Sequence, residues 1–149
     1  MQGTFRTQPR ALNSVPVTPE ERRQFLESHR LAVLGVERAG KPPHLSPVYY
    51  ALDGDEILVS VTETRVKTAL IRRAGRLTLC VLHEEFPFPY LRVEGRGKVV
   101  AEGVADVMML IGGKMQGREL PDSMRPAIEE RARNEQRVVL RLTPESYYP

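Results

Sequence analysis

A chain of 149 residues, with 22 Lys+Arg against 19 Asp+Glu and a net charge of +3, fits one domain large enough to bury its own core. A single cysteine excludes an intrachain disulfide framework, and the interspersed basic residues lack the clustered face and modules of a nucleic-acid binder. No apolar run approaches the ~18 residues of a membrane span, and the start of the chain lacks the continuous apolar stretch of a secretory leader, so a soluble cytoplasmic protein is expected.

Residues 1–16 hold two prolines and no hydrophobic period, which predicts an irregular arm ahead of one domain over 17–149. "TPEERRQFLESH" then starts a helix: Thr18 can cap it, Pro19 suits the first turn, and Glu21 completes a capping box. "LAVLGVE" (31–37) reads as a buried strand and "RAGKPP" as a turn. "HLSPVYYAL" (44–52) reads as a strand interrupted by Pro47, "DGD" (53–55) as a hairpin turn, and "EILVSVT" (56–62) as the returning strand.

Residues 64–74 follow as a helix whose apolar stripe is expected at Val66, Ala69, Leu70 and Ala74, with Arg65 and Lys67 off it. Strands are predicted at 76–82, 90–102 and 137–142, and helices at 104–117 and 122–136. The tail "TPESYYP" reads as irregular. Short strands joined mostly by hairpins, with helices between, predict an α+β fold that is mainly β, an antiparallel sheet or small barrel with helices outside.

Few residues point to chemistry. Arg65 and Lys67 stand where a strand hands over to a helix. A helix N-terminus presents unpaired N–H groups and partial positive charge, so cations there oppose the dipole unless an anion sits between them. Arginine grips phosphate with a planar fork and lysine adds a mobile point charge, so a phosphate site is one reading and a solvated basic face the other. In "PPHLSPVYY" the mid-strand proline leaves backbone groups free for the polar edge of a flat heterocycle, with the Ser46 hydroxyl beside them; a plain bulged edge strand is the alternative. "MMLIGGKM" (108–115) can line a ligand site or fill the core. His29, His44 and His83 make no metal-ligand spacing, so no metal is expected, and no side chain stands out as acid, base or nucleophile.

The ordered set of capped helix, "LAVLGVERAGKPPHLSPVYYALDGDEILVSVTETRVKTALIRRAGRLTLCVL" and "YLRVEGRGKVVAE" resembles the pyridoxamine 5′-phosphate oxidase-like split β-barrel family over about residues 18–143. Within it the chain is most similar to the small coenzyme F420-dependent (deazaflavin) reductases. The resemblance implies a split barrel of six to seven mostly antiparallel strands and a homodimer with cofactor in a groove at its interface. It implies Arg65 and Lys67 on the cofactor phosphate, the backbone of Ser46, Pro47 and Val48 on the ring, and Ser60, Val61 and Thr62 along its other side and ribityl chain. The oxidases proper set their two cations side by side, whereas Val66 separates Arg65 from Lys67 here, which weakens a vitamin B6 oxidase reading.

The function implied is hydride transfer from reduced F420 to a small electron-poor acceptor of the quinone, conjugated enone or tetrapyrrole class. Two alternatives keep the fold: an FMN-dependent oxidoreductase, and a non-catalytic flavin or deazaflavin carrier or sensor.

Overall fold

The computed structural model describes residues 15–148, so all of the expected arm except Val15 and Pro16 lies outside the described residues. Helix α1 (Pro19–Ser28) starts at the capping box: the Glu21 N–H donates to Thr18 Oγ1 at 3.1 Å and the Thr18 N–H to Glu21 Oε2 at 3.0 Å. Its Phe25 and Leu26 enter the core.

Seven strands follow in chain order: β1 (Leu31–Arg38), β2 (Lys41–Tyr49), β3 (Ala51–Asp53), β4 (Glu56–Thr62), β5 (Arg76–Leu82), β6 (Tyr90–Val100) and β7 (Arg137–Tyr148). They form one antiparallel sheet in the order β2-β1-β5-β6-β7-β4-β3. Alternation sends Ala32, Leu34 and Val36 of β1, Leu77, Leu79 and Val81 of β5, and Leu91 and Val93 of β6 to one inner face. There they meet Ile57, Val59 and Val61 of β4 and Leu140 and Leu142 of β7. The sheet therefore rolls until β2, at one end of the order, comes against β4 near the other. No ladder joins those two strands, so this is a split barrel.

Helix α2 (Val66–Ala74) follows β4, and helix α3 (Val104–Gln116), a 3₁₀ turn (Asp122–Met124) and helix α4 (Arg125–Asn134) lie between β6 and β7. Val107 and Ile111 of α3 cover Leu58 and Val139 on the outside of β4 and β7. Those strands are thus buried on both faces, which is why "EILVSVT" and "RVVLRL" are apolar nearly throughout rather than alternating.

The structure corrects four expectations. The strand expected at 44–52 is two. Strand β2 begins at Lys41 and takes in Pro42 and Pro43, since an edge strand paired only with β1 needs no second donor row. At Tyr50 the chain leaves the ladder, and the buried Tyr50 hydroxyl donates to Leu26 O at 2.7 Å. The tail is no loose end: β7 runs on to Tyr148 alongside β6, passing Pro144 through a bulge opposite Gly95. A Cβ at Gly95 would lie 2.1 Å from Thr143 O, so only glycine admits this approach. In α2 the buried residues are Thr68 and Ile71, while Val66 and Ala69 face outward. Apolar residues at 69, 70 and 71 allow two stripes, and Ile71 beneath Gly97 decides between them. The helix expected over 122–136 is a 3₁₀ turn followed by α4, ending at Asn134.

Candidate cofactor groove

The split leaves a groove where β2 faces β4, and the start of α2 is fixed beside it. The Thr62 carbonyl, at the end of β4, accepts from the Arg65 N–H at 3.1 Å and from the buried Thr68 hydroxyl at 2.7 Å. Arg65 is thus the N-cap, in extended conformation, with no side-chain cap bond and no acidic residue in the first turn. Two residues on, Lys67 reaches across the seam and donates to Ser46 Oγ of β2 at 3.5 Å.

Lys67 is half-buried. Desolvation holds its pKa below the ordinary lysine range, and the charges of Arg65 and Arg137 push it the same way. No ion pair of Lys67 or Arg65 with a carboxylate occurs among the described residues. A lysine shielded from water, surrounded by like charge and lacking a counterion is arranged to receive an anion.

The β7 side of the groove, next to β4, carries more positive charge. Register sets Arg137, the first residue of β7, opposite Thr62 of β4. Its Nη1 donates to Ser60 Oγ at 3.2 Å, and its Nε to Glu135 Oε2 at 2.5 Å. The other Glu135 oxygen takes Arg131 Nε at 2.9 Å. Arg131 and Arg137 therefore share the Glu135 carboxylate, while no ion pair of Arg65 or Lys67 occurs among the described residues. Pro47, Val48, Tyr49, Met108, Ile111, Gly112 and Met115 add apolar wall to Ser60, Lys67, Arg131 and Arg137 around a cavity of about 390 Å³.

A larger cavity of about 880 Å³ lies against other residues of α3, between that helix, the end of α1 and the 117–125 connection. Its lining balances Arg30, Lys114, Arg118 and Arg125 against Glu27, Asp106, Glu119 and Asp122; Arg125 Nη1 meets Asp106 Oδ1 at 2.6 Å, while Lys114 Nζ donates to Leu26 O at 2.8 Å, 3.7 Å from the centre of the Tyr50 ring. Size favours this cavity, but the smaller one is lined by Lys67, Arg131 and Arg137 with no carboxylate in its lining, and a net positive site is what an anionic cofactor requires.

Of the residues singled out in the sequence, Pro47, Val48, Ser60 and Lys67 line the groove, and Ser46 joins them through Lys67. Arg65 stands outside the lining on the helix cap, its charge felt at Lys67. The Val61 side chain faces the core, and Thr62 anchors the turn through its carbonyl. Sequence reading missed Arg137, Arg131 and Tyr49. The methionine stripe does both jobs: Met109 is buried, while Met108 and Met115 line the groove.

The chain is thus a split barrel with a cationic groove at its seam. The family described as pyridoxamine 5′-phosphate oxidase matches residues 18–149, and the chain belongs to it. That family includes flavin-related oxidoreductases. No curated protein matches the chain. Among solved structures, a conserved hypothetical protein of Mycobacterium tuberculosis is similar with a TM-score of 0.78 and 21% identity, over 95% of this chain and 88% of that one. A protein named F420 reductase gives 0.67 and 20%, over 85% and 94%. An FAD-binding protein of Mesorhizobium loti gives 0.61 and 18%, over 88% and 92%. At these identities the likeness concerns the fold.

Proposed function

We propose that this chain is a homodimeric F420-dependent reductase acting on a small electron-poor acceptor. The observation that carries the reading is Lys67, half-buried at the barrel seam beside Arg65 and Arg137 and with no carboxylate partner among the described residues. Lys67 and Arg65, with the open first turn of α2, would hold the cofactor phosphate. The β2 backbone at Ser46, Pro47 and Val48 would lie along the ring, and Ser60, with the β4 backbone at Val61 and Thr62, along the other side and the ribityl chain. The apolar wall of Met108, Ile111 and Met115 would exclude water from the ring. Bound in this way, reduced F420 supplies a hydride to the acceptor, and the chain's own part is to hold the two in contact.

The solved F420 reductase supports the reading at the level of fold. FMN is the second reading, because the same cations would take its phosphate and an FAD-binding protein shares the fold. A carrier or sensor without turnover is the third, since cations and apolar walls that hold a cofactor would serve binding without turnover equally. The dimer is proposed from the outer sheet face, where Leu31, Tyr49, Leu82 and Tyr90 are exposed on paired strands and Leu45 is exposed further along β2, over Gly35. No helix among the described residues is long and apolar enough to cross a membrane.

Fluorescence titration of the purified protein with F420 and with FMN tests the assignment. Micromolar F420 binding, followed by oxidation of reduced F420 on adding a quinone or enone, is expected. Micromolar FMN binding without F420 binding would transfer the assignment to FMN. Tight binding with no turnover across the acceptor classes would leave the carrier.

A further inference from the structure

Two serine hydroxyls face the groove from opposite sides of the seam, and each already accepts a bond from a cation. Ser46 Oγ on β2 accepts from Lys67, and Ser60 Oγ on β4 accepts from Arg137. A hydroxyl whose lone pair is occupied by a cation keeps its own O–H to donate. The seam therefore offers two cations and two hydroxyl donors, and it asks for a ligand rich in acceptors. Arg137 is not free to leave: its side chain is only 22% exposed, and Glu135 fixes the Nε edge while Nη1 lies on Ser60. A guanidinium clamped on one edge presents the remaining N–H groups in a fixed fork.

We propose that Arg137, aimed by Glu135, is a third anion-binding residue of the groove, and that an anion of the phosphate class bridges it to Lys67 beside the open seam. The anion would sit between α2 and β7, beside the gap where no backbone ladder joins β2 to β4 and where Lys67 already reaches Ser46 of β2. The inference deepens the cofactor reading and rests on its groove, but it concerns the anion alone and is testable without any flavin. The charge coupling already present between Arg137 and Lys67 agrees with it, since an anion shared by both relieves that repulsion.

The test uses inorganic pyrophosphate as probe, with thermal unfolding and equilibrium binding on the whole chain. The parent should be stabilised by millimolar pyrophosphate. Arg137→Ala should weaken pyrophosphate by about tenfold to a hundredfold, the range for one charge-assisted contact. Arg137→Lys should recover part of the loss, and Arg137→Gln, which keeps a polar chain beside Ser60 in case the alanine variant folds poorly, should not. A further readout separates binding from structure. Without the neighbouring charge of Arg137, the Lys67 amine keeps its proton to higher pH, so in Arg137→Gln the alkaline fall of the remaining affinity moves upward. A parent indifferent to pyrophosphate overturns the proposal, as does an Arg137→Gln variant that binds like the parent with an unmoved alkaline limb. F420 and FMN titrations run in parallel keep the two claims apart. Loss of pyrophosphate binding in Arg137→Gln with neither flavin bound by the parent sustains this inference and sinks the cofactor reading; flavin bound equally by parent and variant does the reverse.

Discussion

Replacing Lys67 with methionine should move stability and binding in opposite directions. The side chain keeps its length and loses its charge. In the ligand-free protein that charge is opposed by burial and by Arg65 and Arg137, against a long bond to Ser46 among the described residues. The site is half-exposed, so solvent screens the repulsion to the ~0.2–1 kcal/mol scale of surface charge interactions. For a chain of this size that raises Tm by about 0.4–4 °C. With a phosphate cofactor the sign reverses: losing one charge-assisted contact costs about 1.5–3 kcal/mol, or roughly ten- to a hundredfold in Kd. The pH dependence follows the same logic. A lysine whose folded pKa is depressed binds fewer protons folded than unfolded, so parent stability rises with pH between the folded and unfolded values, a rise that Lys67→Met lacks. Differential scanning fluorimetry with and without cofactor reads both effects. Arg72→Ala is the control, because Arg72 lies further along α2 and spends its charge on Glu63 at 2.8 Å. A Lys67→Met variant that melts several degrees lower while binding cofactor like the parent would refute the reasoning.

Three other outcomes follow from particular contacts. Gly95→Ala forces a methyl against the Thr143 carbonyl and should cost about 1–3 kcal/mol, a drop in Tm of about 2–12 °C on thermal unfolding, with cofactor affinity unchanged. Lys114, held at a pKa of about 8 mainly by burial, is deprotonated earlier in the folded chain than in the unfolded one; between about pH 8 and 10 the parent should gain stability relative to Lys114→Met, measured as the difference in Tm across that window. Sedimentation at low micromolar concentration should show the parent at twice the chain mass and Leu45→Asp at the chain mass, since Leu45 is 64% exposed on the outer face and its replacement leaves the core intact.

The parts of the fold that were legible in the sequence are those decided locally. Thr18, Pro19 and Glu21 specify the start of α1 by chemistry within one turn, and Gly54, at φ 58°, closes the β3–β4 hairpin. What escaped is decided by residues distant in sequence. Pro144 made the tail look irregular, but Gly95 on β6 leaves it the room to continue as a strand. The buried side of α2 depends on Ile71 meeting a glycine of β6, and three adjacent apolar residues in the helix do not reveal that. The groove divides along the same line. Lys67 was legible because it breaks the charge preference of a helix start. Arg137 reads as an ordinary strand-end cation until register sets it opposite Thr62, with its guanidinium on Ser60.

A crystal structure of the protein with F420 or FMN bound tests the central claim most directly. The cofactor phosphate should lie at the seam between β2 and β4, within hydrogen-bond reach of Lys67 Nζ and the Arg137 guanidinium, with the ring along Ser46–Val48. A phosphate found instead in the larger cavity beside Lys114 and Arg118, out of reach of both Lys67 and Arg137, would contradict the account.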